Sequence, residues 1–396
     1  MKKNHITKGV RRGKFLIFTL RTIVKHPAVK ILRFSDKEVR IKEQPYLVFA
    51  NHTYAFDPVF IVKTLKRYVR FVMSDHVIRS GIVGKIYNFL DAPIIFEREK
   101  GTDPLFNDIV QNIKAGVNVA MYPEGCLTST GETGFISKRN AALVKECDCT
   151  FVTYRAKGGY LKKPRWAKNG RIGPLTGEVV NIYSKEQIRS MTEDEIYDCI
   201  VKDLYVNAYD EQRKNPAEYI GEDKAEYAEV ILYGCPGCKE IGKLRTKGDK
   251  IFCTCGFEAT IDNYGFWHGE DMEFDNIVQW DKFQKELLKE ITDKKINTPE
   301  EVTSDTEQQI YLIEDSEMIP LTQNGKITLF GDRVELITDK ETISIPLQDV
   351  SSVKVSGRMN LLLVTNKGYF EVRSQYPRSG TRYIVAIRYL QGKENL

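Results

Sequence analysis

Between Tyr46 and Tyr154 short apolar runs take turns with amphipathic segments, and this alternation narrows the possible folds more than any other feature. Tyr46-Leu47-Val48-Phe49-Ala50, Val69-Arg70-Phe71-Val72-Met73, Ala92-Pro93-Ile94-Ile95-Phe96, Val117-Asn118-Val119-Ala120-Met121-Tyr122 and Thr150-Phe151-Val152-Thr153-Tyr154 read as strands. Residues 59–69, 75–90, 102–115 and 137–147 space their apolar side chains closer to a helical period. The pattern predicts an α/β layer, a mostly parallel sheet flanked by helices. At 396 residues the chain has room for two or more domains with cores of their own.

In such sheets ligands gather where strands end at their carboxyl side. Three of these ends carry polar chemistry: Asn51-His52-Thr53-Tyr54-Ala55-Phe56-Asp57-Pro58, Phe96-Glu97-Arg98, and Tyr122-Pro123-Glu124-Gly125. Histidine takes a proton from a hydroxyl near neutral pH, and a carboxylate on its far nitrogen fixes the tautomer. Five residues along a regular helix would turn Asp57 about 140° from His52, so the two meet only if the chain turns between them. Asp57 followed by Pro58 supplies such a turn as an N-cap and N1 pair for the helix over 59–69. The same residues also fit a plainer arrangement, with Asp57 capping a helix and His52 ending a strand. On these residues alone both remain open.

The three strand ends together resemble the glycerolipid acyltransferases, the lysophosphatidic-acid and glycerol-3-phosphate acyltransferases, over roughly residues 36–185. The first motif of that family, Asn-His-x-x-x-x-Asp, is met by Asn51, His52 and Asp57. The second, Gly-x-x-Phe-Ile-x-Arg, lines up with residues 92–98 and keeps Arg98. The third, Phe-Pro-Glu-Gly-Thr-Arg-Ser, lines up with residues 122–128, keeping Glu124 and Gly125 but placing Leu127 where the arginine stands. The fourth has Thr153 in place of a proline and continues through Tyr154-Arg155-Ala156-Lys157-Gly158-Gly159-Tyr160 in a family-like way.

The resemblance implies transfer of a fatty acyl group from an acyl thioester, acyl-CoA or acyl carrier protein, to the hydroxyl of a lysophospholipid-type acceptor in phospholipid biosynthesis. His52 would be the general base and Asp57 its orienter, with no covalent acyl-enzyme and no catalytic cofactor. Asn51, Arg98, Glu124 and Gly125 fall to the substrate side: Arg98 on an acceptor phosphate, Glu124 on acceptor hydroxyls or on Arg98, and backbone N–H groups near the Gly125 turn or at a helix N-terminus on the oxyanion. Because Leu127 removes a cation, Arg139, Arg155 or Lys157 stands in for it, or the acceptor's head group lies elsewhere. Cys126 reads as a small filler, not a nucleophile. His5, His26 and His76 lack an acidic partner at motif spacing and read as structural or surface residues.

Residues 1–33 hold ten lysines and arginines and no acid, interleaved with Phe15, Leu16, Ile17, Phe18, Leu20, Ile23, Val24 and other apolar side chains. Such a helix is expected to lie in a membrane interface, drawn to anionic lipid; the other reading is a core helix with a basic outer face. Arg21 and Lys25 interrupt the run before the roughly 20 apolar residues of a span, and no small-residue cleavage site follows. Nothing later is apolar over such a length, so peripheral attachment is expected. A net charge of +5 is too mild to imply nucleic acid.

Cys235-Pro236-Gly237-Cys238 and Cys253-Thr254-Cys255-Gly256 form two close thiol pairs around Lys/Arg/Gly-rich sequence. Four thiolates so arranged resemble a zinc ribbon, a structural Zn²⁺ site with no open position for catalysis. The second pair is one residue short of the usual spacing, which a strand tolerates because residues two apart share a face; His268 is the nearest stand-in for Cys253. Cys126, Cys147, Cys149 and Cys199 suggest no disulfide framework, which fits a reducing cytoplasmic setting.

A helix is expected over residues 274–291, followed at 293–317 by an acidic, weakly apolar linker. From 318 strands are expected at 326–330, 334–337, 342–347, 350–355, 361–364 and 369–372, then a helix over 382–391. The pattern resembles a pleckstrin-homology or GRAM-type barrel with a terminal helix. The expected domains are therefore 1–35, a basic membrane-interface segment; 36–228, the acyltransferase domain; 229–292, ribbon and helix; 293–317, linker; and 318–396, the β domain. Two other readings stay open. One is a lipid- or acyl-thioester-binding protein that has lost transfer. The other is a zinc-ribbon adaptor, although only six residues between Cys238 and Cys253 are basic or aromatic.

Overall fold

The computed structural model describes residues 33–74, 93–96, 101–270, 272–314 and 317–393. The expected interfacial segment up to residue 32, the helix at 75–90, Arg98, His5, His26 and His76 lie outside them. No described helix is long and apolar enough to cross a membrane. The chain divides into two compact units: one runs to Pro164 and resumes over Ile172–Ile220, and the other takes Arg165–Arg171 and Gly221–Leu396.

The first unit contains β1 (Phe34–Asp36), β2 (Tyr46–Ala50), α1 (Asp57–Leu65), β3 (Arg70–Ser74), β4 (Ile94–Phe96), α2 (Thr102–Lys114), β5 (Val119–Met121), α3 (Arg139–Cys147), β6 (Thr150–Lys157), α4 (Gly159–Lys162), β7 (Leu175–Tyr183), α5 (Lys185–Ser190), α6 (Glu193–Leu204) and α7 (Ala208–Lys214). Its sheet runs β1-β7-β6-β2-β5-β3-β4. The strands from β6 to β4 are parallel, and β7 turns back antiparallel to β6 with β1 beside it, so the sheet is mixed. β2 lies inside the sheet, fully buried, and its alternation sorts the core into two layers. Leu47 and Phe49 join Ile109, Val119, Leu143, Phe151 and Ile200 on one side. Tyr46, Val48 and Ala50 join Ile61, Leu65, Val152 and Tyr154 on the other.

Thr153, at the position where the family has proline, is fully buried and donates to Asp203 Oδ2 at 2.8 Å. The same carboxylate, from α6, accepts Asn181 Nδ2 at 2.9 Å and the Tyr183 hydroxyl at 2.8 Å. The carboxylate is desolvated but accepts from three side chains, the condition under which a buried polar cluster is tolerated. A proline at 153 has no hydroxyl to give it.

The second unit carries a small antiparallel sheet of β8 (Arg245–Lys247), β9 (Lys250–Phe252), β10 (Glu258–Ile261) and β11 (Trp267–Gly269), followed by α8 (Ile277–Asp293). Trp280 of α8 packs edge-on against Phe257 and Trp267 and donates its indole N–H to Gly234 O at 2.9 Å. The unit begins at Gly221 rather than near 229, and it includes 165–171.

Seven antiparallel strands follow: β12 (Glu301–Glu314), β13 (Glu317–Phe330), β14 (Arg333–Ile337), β15 (Thr342–Pro346), β16 (Val350–Ser356), β17 (Asn360–Thr365) and β18 (Gly368–Ser374), then α9 (Thr381–Leu390). Their order is β15-β14-β13-β12-β18-β17-β16. The expected barrel is an antiparallel sheet here, with β15 and β16 at its two edges and no pairing joining them among the described residues. The expected linker at 293–317 is wrong. It holds β12, the central strand, paired with both β13 and β18. Register shifts between Glu301 and Tyr311 break the period of two that marks a strand. The acid facing inward, Asp305, is neutralised by Arg382 Nη2 at 2.5 Å.

Candidate active site and metal centre

Where β2 ends, Asn51 continues its ladder with a side chain: Nδ2 donates to Ala156 O at 2.9 Å and Oδ1 accepts Ala156 N–H at 2.7 Å. Asn51, expected on the substrate side, therefore serves as a staple between β2 and β6. The chain then turns, and His52 Nδ1 comes to 3.1 Å from Asp57 Oδ2. That oxygen also accepts the N–H groups of Thr53 and Tyr54, both at 2.8 Å. Asp57 is 1% exposed. It is not the N-cap: Phe56 holds that position without a side-chain cap, and Asp57 opens α1 with its carboxylate turned back into the loop. The carboxylate therefore orients the imidazole and closes the turn, and it sits at the positive end of α1. Gly159 permits the close approach of this turn, since a Cβ there would stand 2.4 Å from Thr53 Oγ1.

The loop after β5 wraps His52. Tyr122 stacks its ring on His52, centroids 3.9 Å apart and nearly parallel. Gly125 adopts φ +72°, and its N–H donates to Tyr122 O at 3.0 Å. That N–H is thus committed to the turn and is not an oxyanion donor in this geometry. Glu124, expected on acceptor hydroxyls, instead accepts His52 N–H at 2.8 Å on Oε1 and Gly134 N–H at 2.7 Å on Oε2. Thr53, Tyr54 and Tyr122 fall within the first and third motifs, which do not mark their roles; that of Tyr122 depends on an adjacent strand end that only the folded sheet supplies.

Burial pushes the Glu124 carboxyl up from 4.5 to about 7; the Gly134 and His52 N–H groups oppose this and the Asp57 charge adds to it. Because the folded value lies above the unfolded one, this group favours the folded state most below pH 4.5, and the contribution is lost as pH rises to about 7. At about 1.4 kcal/mol per unit the change amounts to roughly 3 kcal/mol. Urea unfolding at pH 5 and pH 8 is expected to show that difference shrinking in Glu124→Gln; an identical pH slope would exclude the shift.

The cations expected to replace the missing arginine are all engaged. Arg139 pairs with Asp103 and donates to Thr102 Oγ1 at 2.8 Å. Arg155 donates to Asp203 O at 2.8 Å and to Lys202 O, capping α6. Lys157 pairs with Glu211 at 2.9 Å. Leu127 is half-buried and Cys126 exposed.

Residues 31–157 match the Acyltransferase family model. This segment is an acyltransferase domain. No curated protein matches the chain significantly. Similar solved structures include the 1-acyl-sn-glycerophosphate (LPA) acyltransferase PlsC from Thermotoga maritima, 13% identical with a TM-score of 0.36, over 53% of this chain and 80% of that one. The Vps36 N-terminal PH domain is 18% identical with a TM-score of 0.20, over 24% and 80%. The N-terminal PH domain of human ARAP2 is 17% identical with a TM-score of 0.20, over 24% and 82%. The acyltransferase domain so defined contains His52, Asp57 and Glu124 but stops short of β7 and the helices after it.

In the second unit Cys235, Cys238, Cys253 and Cys255 converge, with all four sulfurs within 4.8 Å of one another. Cys235 Sγ lies 3.7 Å from Cys255 Sγ, and Cys238 Sγ 3.9 Å from Cys253 Sγ. Zn–S bonds of about 2.3 Å in a tetrahedron put neighbouring sulfurs about 3.8 Å apart, the spacing of these two pairs, and the four thiols together can hold a metal such as zinc. The Phe257 N–H holds the Cys255 thiol down at about 7. His268 is not a stand-in, since its Nε2 pairs with Asp262 at 2.8 Å and the ring is exposed.

Proposed function

We propose that the chain is an O-acyltransferase that moves a fatty acyl group from acyl-CoA or acyl carrier protein to the hydroxyl of a lysophospholipid-type acceptor such as a 1-acyl-glycerol-3-phosphate. The observation that carries this reading is the His52–Asp57 pair, with Nδ1 held at 3.1 Å by a buried carboxylate. A proton on Nδ1 leaves Nε2 as the basic nitrogen. The acceptor hydroxyl gives its proton to Nε2 as its oxygen attacks the thioester carbonyl. The tetrahedral intermediate then expels the thiolate, which takes the proton back from the imidazolium. Atoms and charge balance without an acyl-enzyme.

Arg98 is the residue assigned to the acceptor's anionic group, since none of Arg139, Arg155 and Lys157 remains uncommitted. The basic first 33 residues would hold the enzyme peripherally on the cytoplasmic face of a membrane, where it would serve phospholipid biosynthesis. The zinc-ribbon-like segment, with a structural Zn²⁺, and the C-terminal sheet, read as a PH/GRAM-like module, would be non-catalytic.

The test is thiol release from acyl-CoA and acyl carrier protein thioesters with lysophospholipids of different head groups. Wild type is expected to release thiol with at least one acceptor and to prefer phosphomonoester head groups. Acyl-thioester binding without release for any acceptor would favour the lipid-binding alternative and overturn this reading.

A further inference from the structure

Glu124 occupies the motif position expected to face the acceptor, yet both its oxygens are spent on main-chain donors: His52 N–H at 2.8 Å and Gly134 N–H at 2.7 Å. The same loop reaches the other polar group of the His52 backbone, where Thr128 N–H donates to His52 O at 2.9 Å. With Tyr122 stacked on the ring, the loop over residues 122–134 grips the base by its N–H, its C=O and its imidazole face.

The far side of the loop is also tied down. Thr133 N–H donates to Val206 O at 2.9 Å, and Val206 N–H donates back to Thr133 Oγ1 at 2.9 Å. Thr133 Oγ1 donates to Leu204 O at 3.0 Å, and Ala208 N–H donates to Gly131 O at 2.9 Å. Residues 204–208, joining α6 to α7, lie outside the matched acyltransferase segment. They form the platform on which the loop is fastened.

Building on the acyl-transfer reading, we propose that Glu124 is a positioning residue for the His52 base, coupling its main chain through the 122–134 loop to the 204–208 platform, and that it does not bind the acceptor. A glutamine at 124 keeps the shape and one acceptor oxygen, but sets an NH2 donor against one of the two N–H donors. A base displaced by even a fraction of its hydrogen-bond length slows every nucleophile it serves, water included. Loss of an acceptor ligand weakens only acceptor binding.

The experiment compares wild type, Glu124→Gln and Thr133→Ala for kcat, acceptor KM and thioester hydrolysis without acceptor. For Glu124→Gln, kcat and hydrolysis are expected to fall together, by roughly 10- to 100-fold, with acceptor KM within about twofold of wild type. Thr133→Ala, which leaves the carboxylate in place, is expected to lower the same two rates by a smaller factor. A raised acceptor KM with kcat at saturation and hydrolysis unchanged would overturn the proposal. The His52 imidazole NMR signals, sensitive to its place over the Tyr122 ring, provide a readout that needs no turnover. They are expected to shift in both variants, and unshifted signals would also overturn it. A wild type that never releases thiol would sink the acyl-transfer reading while leaving the NMR result to decide the role of Glu124.

Discussion

Thiol release from an acyl thioester in the presence of acceptor is expected to fall about 10³-fold when His52 is replaced by alanine, the range for removing a general base. The fold should survive, because the imidazole is partly exposed, with 20% of its side chain accessible. The main-chain bonds to Glu124 and Thr128 do not involve the ring. Asp57→Asn is the sharper companion. The amide oxygen can still accept the Thr53 and Tyr54 N–H groups, so the turn is retained. It would then present no charge to the imidazolium. A clear drop in kcat, smaller than that of His52→Ala, with an unchanged melting temperature, is expected, because the same oxygen still holds Nδ1–H but the imidazolium formed on taking the acceptor's proton loses its counter-charge. Equal thiol release by wild type and His52→Ala would remove His52 from the reaction altogether.

The second large effect belongs to the four thiols. One zinc per chain is expected by elemental analysis, and Cys235→Ser should lose it. The surrounding strands, β8 to β11, are only three or four residues each and cannot support themselves by burial alone. Metal binding at such sites contributes folding free energy of about 10 kcal/mol or more. Trp267 and Trp280 lie buried edge to face beside the cluster, 5.7 Å between centroids. Stripping the metal with a strong chelator should therefore shift their fluorescence to the red as water reaches them, and re-adding zinc should restore it. A Cys235→Ser protein still carrying a full equivalent of zinc would show that these thiols are not the ligands.

Features built from neighbours along the chain are legible in the residues themselves. The strand and helix alternation between residues 46 and 157 depends on local periodicity, and the His52–Asp57 turn spans five residues. The cysteine pairs are close within themselves, so both halves of the four-thiol cluster are marked. The sequence is silent where the partner is far along the chain. Glu124 meets His52 across 72 positions and Asn51 meets Ala156 across 105. Residue type alone marks both as polar groups near a site, and only the sheet order shows that backbone consumes them. Asp57 reads as a helix cap because Asp-Pro is a capping signature, but its carboxylate finds closer donors in the loop it follows. β12 escapes the pattern because its bulges scramble the alternation, and because a buried aspartate paired with Arg382 looks in sequence like any solvated acid.

That strand sets the order in which the C-terminal sheet can be completed during synthesis. β12 pairs with β13 across a hairpin, but its other edge waits for β18, so Gln309 meets Arg373 and Ile310 meets Val372 only once about 60 further residues have left the ribosome. Until then the nascent chain exposes a strand edge bearing Ile310, Leu312 and Ile313, a template for pairing with other chains. Glu301, Glu307, Glu314 and Glu317 are spread along the same hairpin. Only Glu307 and Glu314 flank the stretch that pairs with β18, charges of the kind that discourage edge-to-edge pairing with a second copy.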